Sequence, residues 1–344
     1  MNDGLEESRK EIRGVSRLLD LSKVIRYLRD REKKEGGFSF APELYPDVED
    51  TYYAVRTLLL LKVDIDRDKT ANYLRSIDWK EVGFPRAVYM LLHIHLLLDI
   101  ELPRQLIDLS SKDWSGFAML DVQYFSDEIG KLLGRPLEPL HFPSSFQLQT
   151  NESLQTLRKK VAILLDHDIN FDSQQIVRWV QSSQNGDGGF GFYPATTSYM
   201  ENTYCGLEIL SNLGSSPAQT ELCRKYILSC QTKGGGFGRA PASFPFIEST
   251  FHAVLGLLLL EKMVGGDMFQ LEQHGNGSIS KGTALKFVIL LGVVSLFADM
   301  TYEGARSITG PYLAILRASG TIIGIVAGFG ELIGYGLRRF DSIW

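Results

Sequence analysis

Trp179 to Leu210 reads W-V-Q-S-S-Q-N-G-D-G-G-F-G-F-Y-P-A-T-T-S-Y-M-E-N-T-Y-C-G-L-E-I-L: a helix end, a glycine turn at Gly188-Gly189-Phe190, a short loop, and a second helix opening at Glu201-Asn202-Thr203. The phrase recurs from Tyr226 (Y-I-L-S-C-Q-T-K-G-G-G-F) and from Tyr27 (Y-L-R-D-R-E-K-K-E-G-G-F). In all three copies an aromatic precedes the turn phenylalanine by eleven residues, Tyr27 to Phe38, Trp179 to Phe190 and Tyr226 to Phe237. A threonine follows it by thirteen, at Thr51, Thr203 and Thr250. Two offsets held three times exclude coincidence. Weaker copies pair Tyr73 with Phe84 and Leu106 with Phe117, each phenylalanine preceded by glycine. The turns step by 46, 33, 73 and 47 residues, so the long step hides an insertion or a worn-down unit. Such spacing signals a repeat architecture whose units bury their apolar faces against neighbours. The unit here is a helical hairpin.

The turn residues Gly37, Phe38, Gly189, Phe190, Gly236 and Phe237 are structural candidates. Gly189 and Gly236 are expected to take positive φ, the phenylalanines to plug the seam between hairpins, and the glutamines to satisfy stray turn amides.

With 344 residues, 44% hydrophobic and 22% charged, the chain suits a folded protein larger than one ordinary domain. Net charge −5 disfavours sequence-general nucleic-acid binding. Cys205, Cys223 and Cys230 cannot all pair, and a spacing of seven on one helix separates the last two by roughly 10 Å of rise. They read as reduced thiols in a cytosolic setting. The opening M-N-D-G-L-E-E-S-R-K has no apolar core, so no secretory signal is expected.

In order, residues 1–14 read as a disordered N-terminus, 15–264 as a domain of hairpins, 265–282 as a linker, 283–338 as a membrane segment and 339–344 as a tail. Val15–Arg31 carries helical periodicity as an outer helix, and Thr51–Val63 is apolar nearly all round, as an inner helix should be. Asp68–Ile77 and Ala87–Ile100 repeat the alternation, and Leu154–Leu165 restarts it after a proline-marked loop. Beyond Gly265-Gly266, Thr283–Ala298 and Gly320–Leu337 are apolar runs that predict two membrane helices. Gly320, Gly324 and Gly328 form a small-residue series suited to close helix packing. Lys281 and Lys286 before the first run, with Arg338 and Arg339 after the second, place both ends and the hairpin domain in the cytoplasm.

An all-helical chain of glycine-phenylalanine hairpins resembles the α/α-toroid superfamily of protein prenyltransferase β-subunits and squalene and terpene cyclases, over residues 15–262. Gln184-x-x-x-Gly188-x-Phe190 and Gln231-x-x-x-Gly235-x-Phe237 also look like the cyclase Q-x-x-x-G-x-W repeat with Phe for Trp. The resemblance implies an all-α toroid. In prenyltransferase β-subunits it further implies zinc held by Asp and Cys at about +9 and +11 from the turn aromatic and by His at +12 of another repeat. Here +9 is Asp47, Tyr199 or Phe246, +11 is Glu49, Glu201 or Glu248, and +12 is Asp50, Asn202 or Ser249. No Cys or His falls in phase, so no metal and no cofactor is expected. Cys205 and His252, both at +15, read as packing residues. The cyclase acid D-x-D-D is matched only by Asp64-Ile65-Asp66-Arg67, with Arg in the last place.

Asp47, Glu49 and Asp50 put three carboxylates in four residues, a candidate ligand cluster set against ordinary helix-opening caps. At +14 stand Tyr52, Tyr204 and Phe251, placed to form an aromatic cavity wall for an isoprenoid chain or to repeat one core contact. Gly292–Arg338 looks like the first two helices of a major facilitator superfamily transporter, with Asp299, Glu303 and Arg306 on one helical face. Two helices cannot enclose a transport path. The expected protein is therefore a toroid fixed to the membrane by a two-helix hairpin, binding an isoprenoid, a lipid, a protein partner or other membrane helices. The alternatives are a prenyl or terpenoid transferase with a divergent site, and a fused or truncated product carrying a transporter remnant.

Overall fold

Asp20, Asp47, Asp66, Ser153 and Asp172 each accept a backbone N–H two or three residues ahead, and each thereby opens a helix where the apolar periodicity begins. A computed structural model describes residues 19–80, 82–112, 114, 116–137, 148–149 and 151–267. The outer helices are α1 (Leu21–Arg29), α3 (Arg67–Arg75), α5 (Arg104–Leu109), α8 (Ser173–Ser182) and α10 (Thr220–Ser229). The inner ones are α2 (Val48–Leu60), α4 (Pro85–Leu97), α6 (Met119–Leu133), α7 (Leu154–Asp166), α9 (Met200–Asn212) and α11 (Ile247–Asp267). The long step of the repeat thus holds an extra inner helix, α7, without a glycine turn of its own.

The inner helices pack α2 on α4, α4 on α6, α6 on α7, α7 on α9, α9 on α11, and α11 back on α2. The ring is closed. Outer helices cover its flanks, and the only strands among the described residues are two-residue stubs, β1 (Phe237–Gly238) and β2 (Pro245–Phe246), paired antiparallel.

What holds each strong hairpin is one repeated bond set. Phe38, Phe190 and Phe237 are fully buried, and their amides donate to Thr51, Thr203 and Thr250 Oγ1 at 2.9, 3.0 and 3.0 Å. Thr203 and Thr250 hydroxyls in turn donate to the carbonyls of Tyr199 and Phe246. Glu32, Gln184 and Gln231 bridge to the same phenylalanines, and the two glutamine amides donate to the carbonyls of Gly188 and Gly235.

Neighbouring hairpins meet through the turn glycines. The positive φ falls at Gly188 (+93°) and Gly235 (+96°), one residue before the positions expected. Their bare backbones lie against Leu222 and Lys23 of the following outer helix, where a Cβ would collide. Gly189 and Gly236 have ordinary φ, and it is close approach that excludes a side chain there. A Cβ would sit 2.7 Å from the Tyr226 ring and 2.5 Å from the Tyr27 ring. Tyr27 belongs to the first hairpin and Gly236 to the last, so the contact that joins neighbours also closes the ring.

The weak copies differ. Tyr73 and Leu106 are buried, yet Phe84 and Phe117 are 47% and 45% exposed. Phe84 directly precedes Pro85 of α4, so this hairpin lacks the loop that separates turn from inner helix in the strong copies. At the other end, α11 continues to Asp267, past the start of the expected linker at 265. The chain divides into residues 1–272 and 273–344. The predicted hairpin over 283–338, with Asp299, Glu303 and Arg306, lies outside the described residues. Among the described residues no helix is long and apolar enough to cross a membrane.

Replacing Thr203 with Val keeps the shape but strands the buried Phe190 amide, and urea unfolding should show a loss of about 1–3 kcal/mol. Gly189→Ala should cost about 1–3 kcal/mol by overpacking the Tyr226 ring. A variant of either kind that unfolds with the parent would break the account of the seam.

Candidate functional site

Because each strong inner helix is pinned at +13, the positions that follow keep one register. Residues at +14, +15 and +18 share a helical face, and in all three copies that face lines a central cavity of about 450 Å³. Tyr52, Tyr204 and Phe251 occupy +14, Tyr53, Cys205 and His252 occupy +15, and Arg56, Glu208 and Leu255 occupy +18. The other inner helices add Arg86, Tyr89, Tyr124, Phe125, Glu128 and Arg158. The volume lies in the range of small-molecule sites, roughly 300–1,000 Å³.

The aromatic residues make a continuous wall. Tyr52 lies 6.0 Å from Tyr89, Tyr89 5.8 Å from Phe125, Tyr204 6.2 Å from Phe251, and Tyr53 5.1 Å from Phe251, all between ring centroids. His252 stacks on Tyr204 at 4.5 Å, almost parallel. The cavity thus receives the three aromatics singled out at +14, and also Cys205 and His252, which had read as packing residues. Burial and the nearby guanidiniums of Arg158, Arg86 and Arg56 push His252 down to about 3, so its ring is neutral, and its buried Nδ1 has no hydrogen-bond partner among the described residues. Burial pushes the Cys205 thiol up to about 12, against the pull of Arg158, which makes it a poor nucleophile.

The cations divide by partner. Arg86 donates to Glu49 at 2.5 Å and to Tyr53 at 3.0 Å, and lies 3.5 Å from Glu248. It therefore ties α2, α4 and α11 together at the rim. Arg158 donates to Tyr124 at 3.0 Å and pairs with Glu208 at 3.3 Å. Arg56 is different. It donates to Tyr52 Oη at 2.7 Å and lies 4.6 Å over the Phe251 ring, but among the described residues no ion pair reaches it. Burial, then the Arg56 charge, lowers the neighbouring His93 to about 4.

Of the carboxylates expected as a cluster, Glu49 turns to Arg86 while Asp47 and Asp50 remain side by side. Asp47 caps α2 by accepting the Asp50 amide at 2.8 Å, Glu49 pairs with Arg86, and Asp50 accepts the Phe40 amide at 2.5 Å. A zinc ion of the kind the toroid resemblance implies does not fit these residues. Among the described residues no three of His, Cys, Asp and Glu are grouped to hold a metal.

A family profile, the prenyltransferase alpha-alpha toroid domain, matches residues 12–113, 157–225 and 207–276, more than half of the chain. The chain belongs to this family. It is also 57% identical over 56 residues to uncharacterized proteins of Mycobacterium bovis and Mycobacterium tuberculosis. That stretch is 16% of the chain and spans only 14% of the length of those relatives. Among solved structures, Candida albicans protein geranylgeranyltransferase-I complexed with GGPP matches over 77% of this chain and 84% of its own. Its identity is 20% and its TM-score 0.31, too low for a fold to be read from it.

Sequence reasoning missed the arginines. Their signal was present, since Arg56 is the one charge within T-Y-Y-A-V-R-T-L-L-L-L. A lone arginine in an otherwise apolar inner helix points at a cavity.

Asp50 supplies a pH test. Burial, and then the hydrogen bond and charge of Asp47, push its carboxyl up from 3.8 to about 7. The folded state therefore holds this proton more tightly than the unfolded one, so its contribution weakens as pH rises from 3.8 through about 7. Asp50→Asn should flatten that slope in denaturant titrations run across this window, and an unchanged slope would exclude Asp50 as its source. Metal analysis of the full-length protein should find well below one zinc per chain. Stoichiometric zinc lost on replacing Asp47 and Glu49 would reverse the reading of the carboxylates.

Proposed function

We propose that this toroid binds an amphiphilic isoprenoid, its chain against the aromatic wall and its anionic head at Arg56. The observation that carries the reading is Arg56 itself, a largely buried cation in the cavity with an aromatic face and a phenol beside it and no carboxylate partner among the described residues. An unpaired buried charge is costly, and an anionic ligand would supply the missing partner. Membership of a prenyltransferase family makes the isoprenoid class the natural occupant. Asp47 keeps the family's Asp at +9, but the phases of its Cys and His ligands hold Glu at +11 and Asp, Asn or Ser at +12, which favours a binding module over a zinc-dependent transferase. Membrane attachment, with the toroid on the cytoplasmic side, rests on the apolar runs and flanking basic residues of 283–338.

Isothermal titration with farnesyl diphosphate and geranylgeranyl diphosphate, and with uncharged farnesol, tests this. The diphosphates should bind about tenfold or more tighter than farnesol, a difference of ~1.4 kcal/mol or more from one charge-assisted contact. Arg56→Gln should remove that difference while leaving farnesol binding alone. Equal binding by parent and variant would sink the head-group assignment, and turnover of a diphosphate with release of pyrophosphate would restore the enzyme.

A further inference from the structure

A second hollow, about 1040 Å³ and open to solvent, lies between the first turn and the second hairpin, outside the central cavity. Its origin is the shortened second hairpin. At α7 and α9 the loop of the following hairpin caps the inner helix of the hairpin before it. The carbonyl of Phe192 accepts the amide of Leu154, the first residue of α7, at 2.8 Å, and that of Arg239 accepts the amide of Met200, the first of α9, at 2.7 Å. Both carbonyls stand two residues after a turn phenylalanine. Val48, the first residue of α2, occupies the same place in its hairpin, but α4 follows Phe84 directly and no loop is present to meet it. Among the described residues the Val48 amide has no acceptor, and Val48 lines the hollow.

The walls describe what would fill the space. Tyr73, Pro46, Val82 and half-exposed Phe84 form an apolar surface, while Glu35, Asp47, Glu49 and Asp78 also line it, with no Lys, Arg or His among the described lining residues. Glu49 is engaged by Arg86, which leaves exposed Glu35, Asp47 and Asp78 to set the sign of the rim. We propose that this groove docks an extended segment of a partner protein in which apolar side chains are flanked by arginine or lysine, with a backbone carbonyl of the segment taking the Val48 amide as the loop carbonyls do at α7 and α9. Backbone pairing supplies affinity in such recognition, and the apolar and charged side chains supply selection.

Fluorescence anisotropy on the full-length protein tests this with labelled peptides R-R-L-V-R-R and E-E-L-V-E-E. The basic peptide should bind, more weakly as salt is raised, and the acidic one should not. Glu35→Lys with Asp78→Lys, both exposed, should weaken binding about tenfold. Val48→Pro removes the amide at a position where proline suits a helix start, and should weaken it about threefold or more with an unchanged melting temperature. Should that variant unfold, the charge reversals decide alone. Equal binding of both peptides, or indifference to the charge reversals, would overturn the proposal. So would binding that appears only after proteolysis of the chain outside 19–267, which would make the protein's own segment the occupant.

Discussion

A peptide N–H sealed beneath a phenylalanine must find an acceptor, because leaving it without one costs as much as a good packing contact contributes. The fold rests on how three hairpins meet that demand. The amides of Phe38, Phe190 and Phe237 are taken by hydroxyls thirteen residues on, and those threonines stand in the first turns of α2, α9 and α11. A single side chain therefore fixes the loop length, the depth of the phenylalanine and the rotation of the inner helix. With that rotation set, the glycines present bare backbone to the next outer helix. The same contact, repeated from Gly235 to Lys23 and from Gly236 to Tyr27, returns the chain to its start.

The cavity is a consequence of that register. Once +13 is fixed, +14, +15 and +18 turn inward in each strong copy, and the linear period becomes a chemical wall. The threonine stays constant because the scaffold needs it. The wall positions are free to vary, and do: Arg56, Glu208 and Leu255 are equivalent by offset and have nothing else in common.

How far the sequence could be read follows from the same physics. The offset of thirteen was legible because it reports a bond within one hairpin, and that of eleven because it sets the aromatic that packs on the neighbouring turn in two of the three copies; the resemblance to the toroid family rested on both. Gly189 and Gly236 were rightly marked as intolerant of side chains, but for the wrong cause. A Gly-Gly pair does not reveal which member takes positive φ, and the tyrosine ring pressed on the other comes from a different hairpin. Phe84 and Phe117 kept the spacing while losing the role, since spacing is silent about whether a loop follows. Helix α7 bears no turn motif at all, and only its packing between α6 and α9 shows that it belongs to the ring. Contacts between first and last hairpins, such as Phe40 stacked on Phe246 at 4.7 Å, have no local signature.

Charge balance within the cavity leads one step further. Arg86 and Arg158 each face a carboxylate from another helix, so removing either would strand its carboxylate partner. Arg56 has no such counterweight. Its equivalent in the second strong hairpin, Glu208, is already held by Arg158, and in the third the place is taken by Leu255. The tyrosine oxygen and the phenylalanine face beside it offer partial compensation, since a cation over an aromatic ring recovers ~0.5–2 kcal/mol. That falls short of what a carboxylate or phosphate in hydrogen-bond contact would return. A guanidinium kept under those terms, in the one part of the ring that every strong hairpin faces, is better explained by a ligand than by the fold, which is secured elsewhere by threonine and glycine.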